Sequence, residues 1–170
     1  MLIAANTYQI WRMKMKHEYF MRLAIKKATS GIKSGQTPFG ACIVKNGKVV
    51  SCVHNIVWKS TDITAHAEVN AIREACKKLK TIDLSDCIIY STCEPCPMCF
   101  SAIHWAKLSK IIYGAGIKDA QDAGFNELSI SNQNMKRLGK SKVQIVKGFM
   151  IKESKKLFKT WSNSKTKKVY

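Results

Sequence analysis

Two short stretches of this 170-residue chain hold the side chains best suited to chemistry: His66-Ala67-Glu68 and Cys93-Glu94-Pro95-Cys96-Pro97-Met98-Cys99. Cys96 and Cys99 are three residues apart, which on a helix sets both sulfurs on one face. A helix N-terminus acidifies thiols and so favours the thiolates that zinc binds. An imidazole from His66 would bring the protein ligands to three. That number matters, because a structural zinc site fills all four tetrahedral positions with protein, whereas a catalytic one leaves the fourth to water. Zinc lowers the pKa of such a water to about 7, which makes hydroxide available at neutral pH. Glu68 would then take up the proton and return it to a ring nitrogen or a leaving amine. On a regular helix Glu68 lies about 200° around from His66, so the two share a pocket only if the helix entry is irregular. Blander readings stand beside this one. His-x-Glu commonly does no more than start a helix, and Cys-x-x-Cys can be redox-active. Cys93 could also join His66, Cys96 and Cys99 in a closed Cys3His site, provided that it turns into the face of the helical pair.

The elements that must hold these residues follow from periodicity. Phe20, Leu23, Ala24, Ala28 and Ile32 recur at helical steps and predict a helix over 16–34, ended by Gly31 and Gly35. Residues 41–45 and 49–53 are β-rich and flank Asn46-Gly47, a strong hairpin signal. A second helix is predicted over 65–79, a buried strand over 87–90, and a third helix from the Pro95–Pro97 region to Trp105. A buried strand over 111–113 follows, then a glycine-containing loop through Gly124, a short helix over 132–138, a strand over 142–147 and a last helix over 153–161. Strands alternating with helices after a hairpin predict a mixed sheet between helix layers. Residues 1–14 read as an N-terminal extension or an early start, with Met15 as the more natural beginning. Residues 15–161 form one domain, and 162–170 a lysine-rich tail that ends on an aromatic.

Composition bounds the function. The chain is long enough to bury roughly 70% of its unfolded surface without disulfides, and its 46% hydrophobic content excludes disorder. No run approaches the roughly 18 to 20 apolar residues of a membrane span, and residues 2–5 are too short for a signal-peptide core. The expected compartment is cytoplasmic and reducing, where seven cysteines, three of them within 93–99, imply metal or thiol chemistry. Lys and Arg number 29 and Asp and Glu 11, giving a formal charge of +18. That charge is uneven: ten basic and one acidic residue over 1–60, seven and nine over 61–130, twelve and one over 131–170. The basic flanks keep the protein soluble or attract a polyanion such as tRNA, while the segment bearing the chemistry is slightly acidic.

Taken together, Thr64-Ala65-His66-Ala67-Glu68-Val69 and Cys93-Glu94-Pro95-Cys96-Pro97-Met98-Cys99 resemble the zinc deaminases of the cytidine deaminase-like superfamily over the chain from about Met15 onward. The resemblance implies an α/β fold of three layers, α/β/α, around a five-stranded mixed sheet. It implies His66, Cys96 and Cys99 as Zn2+ ligands, Glu68 as proton shuttle and Cys93 as no ligand. Free cytidine deaminases have cysteine where this chain has His66. The tRNA adenosine deaminases typically carry an Asp-x-Lys-x-Gly-Ala-x-x-Ser-like segment after the strand equivalent to 111–113, where this chain reads Lys118-Asp119-Ala120-Gln121-Asp122-Ala123-Gly124-Phe125-Asn126-Glu127. That segment, with Pro38-Phe39-Gly40-Ala41 and the terminal Lys167-Lys168-Val169-Tyr170, is similar to bacterial guanine deaminases and plant guanosine deaminases. The resemblance places Glu127 at the purine edge, Asn55 as a substrate-binding asparagine, Phe39 as a substrate-site residue that shuts out water, and Tyr170 on a tail that closes over a pocket. In some relatives that tail is exchanged within a homodimer.

The expected activity is hydrolytic deamination of a free purine, guanine to xanthine and ammonia. The alternatives are adenosine deamination in tRNA, guanosine or deoxycytidylate deamination, and a zinc-stabilised nucleic-acid-binding module without turnover.

Overall fold

In the hairpin that opens the sheet, Asn46 and Gly47 take φ of 49° and 73°, the left-handed backbone a tight two-residue turn demands. They join β1 (Gly40–Lys45) to β2 (Lys48–His54) as an antiparallel pair. The computed structural model describes the backbone of residues 2–170 and the side chains of residues 14–170. On its other edge β1 pairs antiparallel with β3 (Cys87–Cys93), which runs parallel to β4 (Lys110–Ala115), itself parallel to β5 (Gln144–Val146). The result is a five-stranded mixed sheet in the order β2-β1-β3-β4-β5.

Strand side chains alternate between faces, and both faces are buried. Cys42, Val44, Tyr90 and Ile112 pack with Phe20, Met21 and Ala24 of α1 (Leu2–Lys33). Ala41, Ile43, Ile89 and Ile111 pack with Ala71 and Ala75 of α3 (Ala67–Leu79) and with Phe100 and Ile103 of α4 (Pro97–Trp105). A single turn, α2 (Val57–Ser60), precedes α3, and the chain closes through α5 (Ile117–Asp122), α6 (Asn132–Leu138) and α7 (Ile151–Ser162). α7 packs on β4 and beside α1. This is the three-layer α/β/α arrangement expected from the sequence.

Three local expectations are corrected. Gly31 does not end α1 but lies inside it, because the ring of His54 packs against it and a Cβ there would meet ring carbon at 2.9 Å. Gly35, at φ +77°, makes the turn that follows. The stretch read as a loop through Gly124 contains α5, whose short apolar pattern, Ile117 and Ala120 alone, is too sparse to show a helical period. β3 runs on from Tyr90 to Cys93, since Ser91 and Thr92 are polar yet buried at 1% and 2% exposure. The reading of residues 1–14 as an extension lies outside the residues whose side chains are described, but for Lys14.

Candidate active site

The C-terminal end of β3 and the N-termini of α3 and α4 meet at one point, and that is where His66, Cys96 and Cys99 converge. His66 is the N-cap of α3 with extended backbone, φ −62° and ψ 155°. Cys96 is the N-cap of α4, φ −61° and ψ 166°, followed by Pro97, whose missing N–H costs nothing in a first turn. These extended caps are the irregular helix entry that allows His66 and Glu68 to face one pocket. The Nδ1 of His66 lies 3.6 Å from Cys96 Sγ and 3.5 Å from Cys99 Sγ, and the three donor atoms lie within 4.8 Å of one another.

The donor set fits zinc. Bonds of about 2.3 Å to sulfur and about 2.0 Å to nitrogen at a tetrahedral angle require an S···N edge of about 3.5 Å, and both edges have that length. The Cys96 thiol is drawn down to about 4, first by the bond from Cys99 and then by His66. Cys99, which makes that bond in a buried position, is pushed well up and would release its proton on metal binding. Burial alone would lower His66, but Cys96 and the charges of Glu68 and Glu127 together raise it.

Cys93 takes no part in this cluster. Its thiol donates to Gly116 O at 3.5 Å, and among the described residues the metal-competent group at this point holds three side chains, not four. The loop that carries Cys96 is fixed instead by Glu94. One carboxylate oxygen accepts from Asn132 N at 2.8 Å and the other from Ile117 N at 3.5 Å, while Asn132 Nδ2 donates to Pro95 O at 2.6 Å. On the other ligand, Asn70 Nδ2 donates to Ala65 O at 2.9 Å and tightens the turn before His66.

Glu68 is 5% exposed. Ser91 Oγ donates to its Oε1 at 2.7 Å, and Cys99 Sγ lies 3.6 Å from its Oε2. Burial raises its pKa, and the Ser91 bond works against that rise. Glu127 stands across the site and is pushed up to about 7, by burial first and by the negative charge at Cys96 second. Two carboxylates with raised pKa beside a metal-competent cluster form the kind of site in which protons are moved.

Glu127, Tyr170, Phe125 and Met98 line a cavity of about 290 Å³ together with His66 and Cys96. The Tyr170 ring sits 5.7 Å from the His66 ring and 6.0 Å from that of Phe125. The tail that delivers it is tied down where Trp58 Nε1 donates to Lys168 O at 3.3 Å. Asn55 is fully buried, and its Nδ2 donates to the Tyr170 hydroxyl at 2.7 Å. Phe39 reaches the cavity only through a neighbour: its ring packs edge-on against Phe125 at 4.9 Å. Sequence reasoning missed Ser91, Glu94, Asn132 and Phe125. Glu94, inside the cysteine motif, was visible there; Ser91 and Asn132 act by contacts over tens of residues that no local pattern reveals.

Residues 14–115 match the family described as the cytidine and deoxycytidylate deaminase zinc-binding region. Guanine deaminase of Bacillus subtilis is 41% identical over 157 residues, covering 92% of this chain and 100% of that protein. The tRNA-specific adenosine deaminase of Buchnera aphidicola subsp. Schizaphis graminum is 32% identical over 150 residues, covering 88% of this chain and 96% of that one. A solved structure of guanine deaminase from Nitrosomonas europaea superposes with a TM-score of 0.78 at 25% identity, over 84% of this chain and 82% of that one. With a three-ligand site that fits zinc on the fold of these enzymes, the chain belongs to the cytidine and deoxycytidylate deaminase zinc-binding family.

Proposed function

We propose that the protein hydrolyses the exocyclic amine of free guanine, consuming water and releasing xanthine and ammonia. The observation that carries this reading is Glu127, a second carboxylate in the wall of the cavity that holds the metal-competent cluster. An ionised carboxylate accepts N–H bonds, and free guanine offers N–H donors where adenine offers ring acceptors. Likeness to the Bacillus subtilis guanine deaminase over nearly the whole chain supports the same substrate.

Zinc held by His66, Cys96 and Cys99 supplies Lewis-acid activation of the attacking water. The remaining work falls to side chains. Glu68 takes one proton of that water and passes it to the ring nitrogen beside carbon 2, then takes the remaining proton of the hydroxyl added at carbon 2 and delivers it to the departing amine. Burial raises the pKa of Glu68, which favours a carboxyl that must hold a proton between the two transfers. Glu127 orients the purine, and Asn55 Nδ2 binds an acceptor on the base in place of the Tyr170 hydroxyl. The Tyr170 ring, and Phe39 acting through Phe125, exclude water from the reacting centre.

In the single chain Tyr170 closes its own cavity; in a homodimer with exchanged tails the same ring would close the partner's. All seven cysteines are free thiols, as a reducing cytoplasm keeps them, and among the described residues no helix is long and apolar enough to cross a membrane. A second reading, adenosine deamination in tRNA, draws on the +18 charge and predicts steeply salt-dependent tRNA binding. Ammonia release from guanine, guanosine, adenine, cytosine and an adenosine-bearing tRNA anticodon stem separates the two. Turnover of guanine alone supports the proposal, and turnover of the tRNA with none of free guanine refutes it.

A further inference from the structure

Away from the metal cluster, Cys42 and Cys52 face each other across the first hairpin as register partners on β1 and β2. The hydrogen-bond parity of the ladder fixes what kind of pair they are. Asn55 N donates to Phe39 O at 3.0 Å, so the rung just beyond Gly40 and His54 is a hydrogen-bonded one. Antiparallel rungs alternate, which makes Gly40/His54 non-bonded, Ala41/Val53 bonded and Cys42/Cys52 non-bonded. Gly40 N agrees with this parity, since it turns away from β2 and donates to Thr92 Oγ1 on the β3 side at 3.0 Å. Non-bonded rungs bring Cα atoms to about 4.5 Å with side chains closest together, and a disulfide spans Cα separations of roughly 4.4–6.8 Å.

We propose that Cys42 and Cys52 form a reversible disulfide across the β1–β2 hairpin, made by exchange with a small-molecule disulfide. Their positions assign the order of attack. Cys42 is fully buried between the sheet and α1, whereas Cys52 is half-buried and reachable. The neighbouring Cys42 thiol, and after it Lys27 of α1, lower the Cys52 pKa while that of buried Cys42 is raised, so Cys52 ionises more readily and is the attacking sulfur. It attacks one sulfur of the small disulfide, forming a mixed disulfide and expelling one thiolate, which takes up a proton. Cys42 then loses its S–H proton to solvent and attacks the Cys52 sulfur, and the second small thiol leaves. Two protein thiols are oxidised and one small disulfide is reduced to two thiols. The rung lies three residues from Phe39 on one strand and three from Asn55 on the other, so the bond pins the register of the hairpin that presents both.

Zinc-loaded protein, its cluster cysteines held by metal, is incubated with oxidised glutathione, unfolded, alkylated and digested without reduction. The expected product is one peptide pair joining Cys42 to Cys52, two hydrogens lighter than the separate thiols and released by dithiothreitol. In Cys42→Ser the glutathione should instead remain on Cys52. Recovery of both cysteines alkylated from wild type, or of glutathione lodged on Cys52 with Cys42 alkylated, overturns the proposal without reference to any variant.

Discussion

The side-chain amide of Asn55 and the hydroxyl of Tyr170, 115 residues apart, are joined by a 2.7 Å hydrogen bond. Asn55 Oδ1 is held by Val57 N at 3.0 Å, so Nδ2 is the part of the amide left to meet a ligand. Guanine must therefore compete with the tyrosine for that donor. Tyr170→Phe keeps the ring and removes the competitor. KM for guanine should fall about fivefold, the equivalent of one hydrogen bond of about 1 kcal/mol. Deleting residues 164–170 removes the ring as well, and kcat/KM should then drop at least about tenfold as water enters. Steady-state kinetics on both variants separates the roles of hydroxyl and ring.

Ser91→Ala leaves Glu68 Oε1 without its 2.7 Å donor. That bond opposes the rise burial imposes on Glu68, so its loss raises the pKa further, and a base with a raised pKa is lost to protonation at a higher pH. The acid limb of the kcat profile should move to higher pH. Near neutrality kcat should fall about tenfold, less than the roughly hundredfold or more that losing the general base itself would cost, and recover as the buffer is made more alkaline. A uniform loss at every pH would mean that Ser91 acts on packing alone.

Burial, and after it the negative charge at Cys96, push Glu127 up to about 7, and the positive charge of a bound zinc would draw that value down. Binding of guanine by its carboxylate requires the ionised form, so affinity for an unreactive guanine analogue should weaken as pH falls through a midpoint at or below about 7. Glu127→Gln should bind more weakly and show no such midpoint. Calorimetric titrations of both proteins across the pH range measure it.

How far the sequence revealed this architecture depended on how local each signal was. Asn46-Gly47 set the hairpin turn, and the prolines around Cys96 set the start of α4, because both act on their own backbone. The three metal-competent residues were legible as a motif, and His66 was recognisable as reaching Glu68's pocket only on the condition that α3 begins irregularly, which its extended N-cap provides. α5 was invisible because six residues with two apolar positions carry no period. Gly31 misled because glycine ends helices more often than it makes room for a ring such as that of His54. The support of the site by Ser91, Glu94 and Asn132 is tertiary, and only the folded chain shows it.

Cys93 distinguishes a catalytic from a closed metal site. With its thiol on Gly116 O, Cys93→Ser should retain one zinc per chain, whereas Cys96→Ser should lose it. Metal analysis after exhaustive dialysis decides, and loss of zinc from Cys93→Ser would revive a structural Cys3His centre.

The most direct measurement pairs xanthine formation with zinc content in wild type and Glu68→Ala, each loaded with zinc and supplied with guanine. The geometry predicts one zinc in both proteins, xanthine from wild type, and a kcat at least about a hundredfold lower in the variant, the smallest loss expected of a general base. Comparable turnover by zinc-replete Glu68→Ala, or no xanthine from zinc-replete wild type, would contradict it.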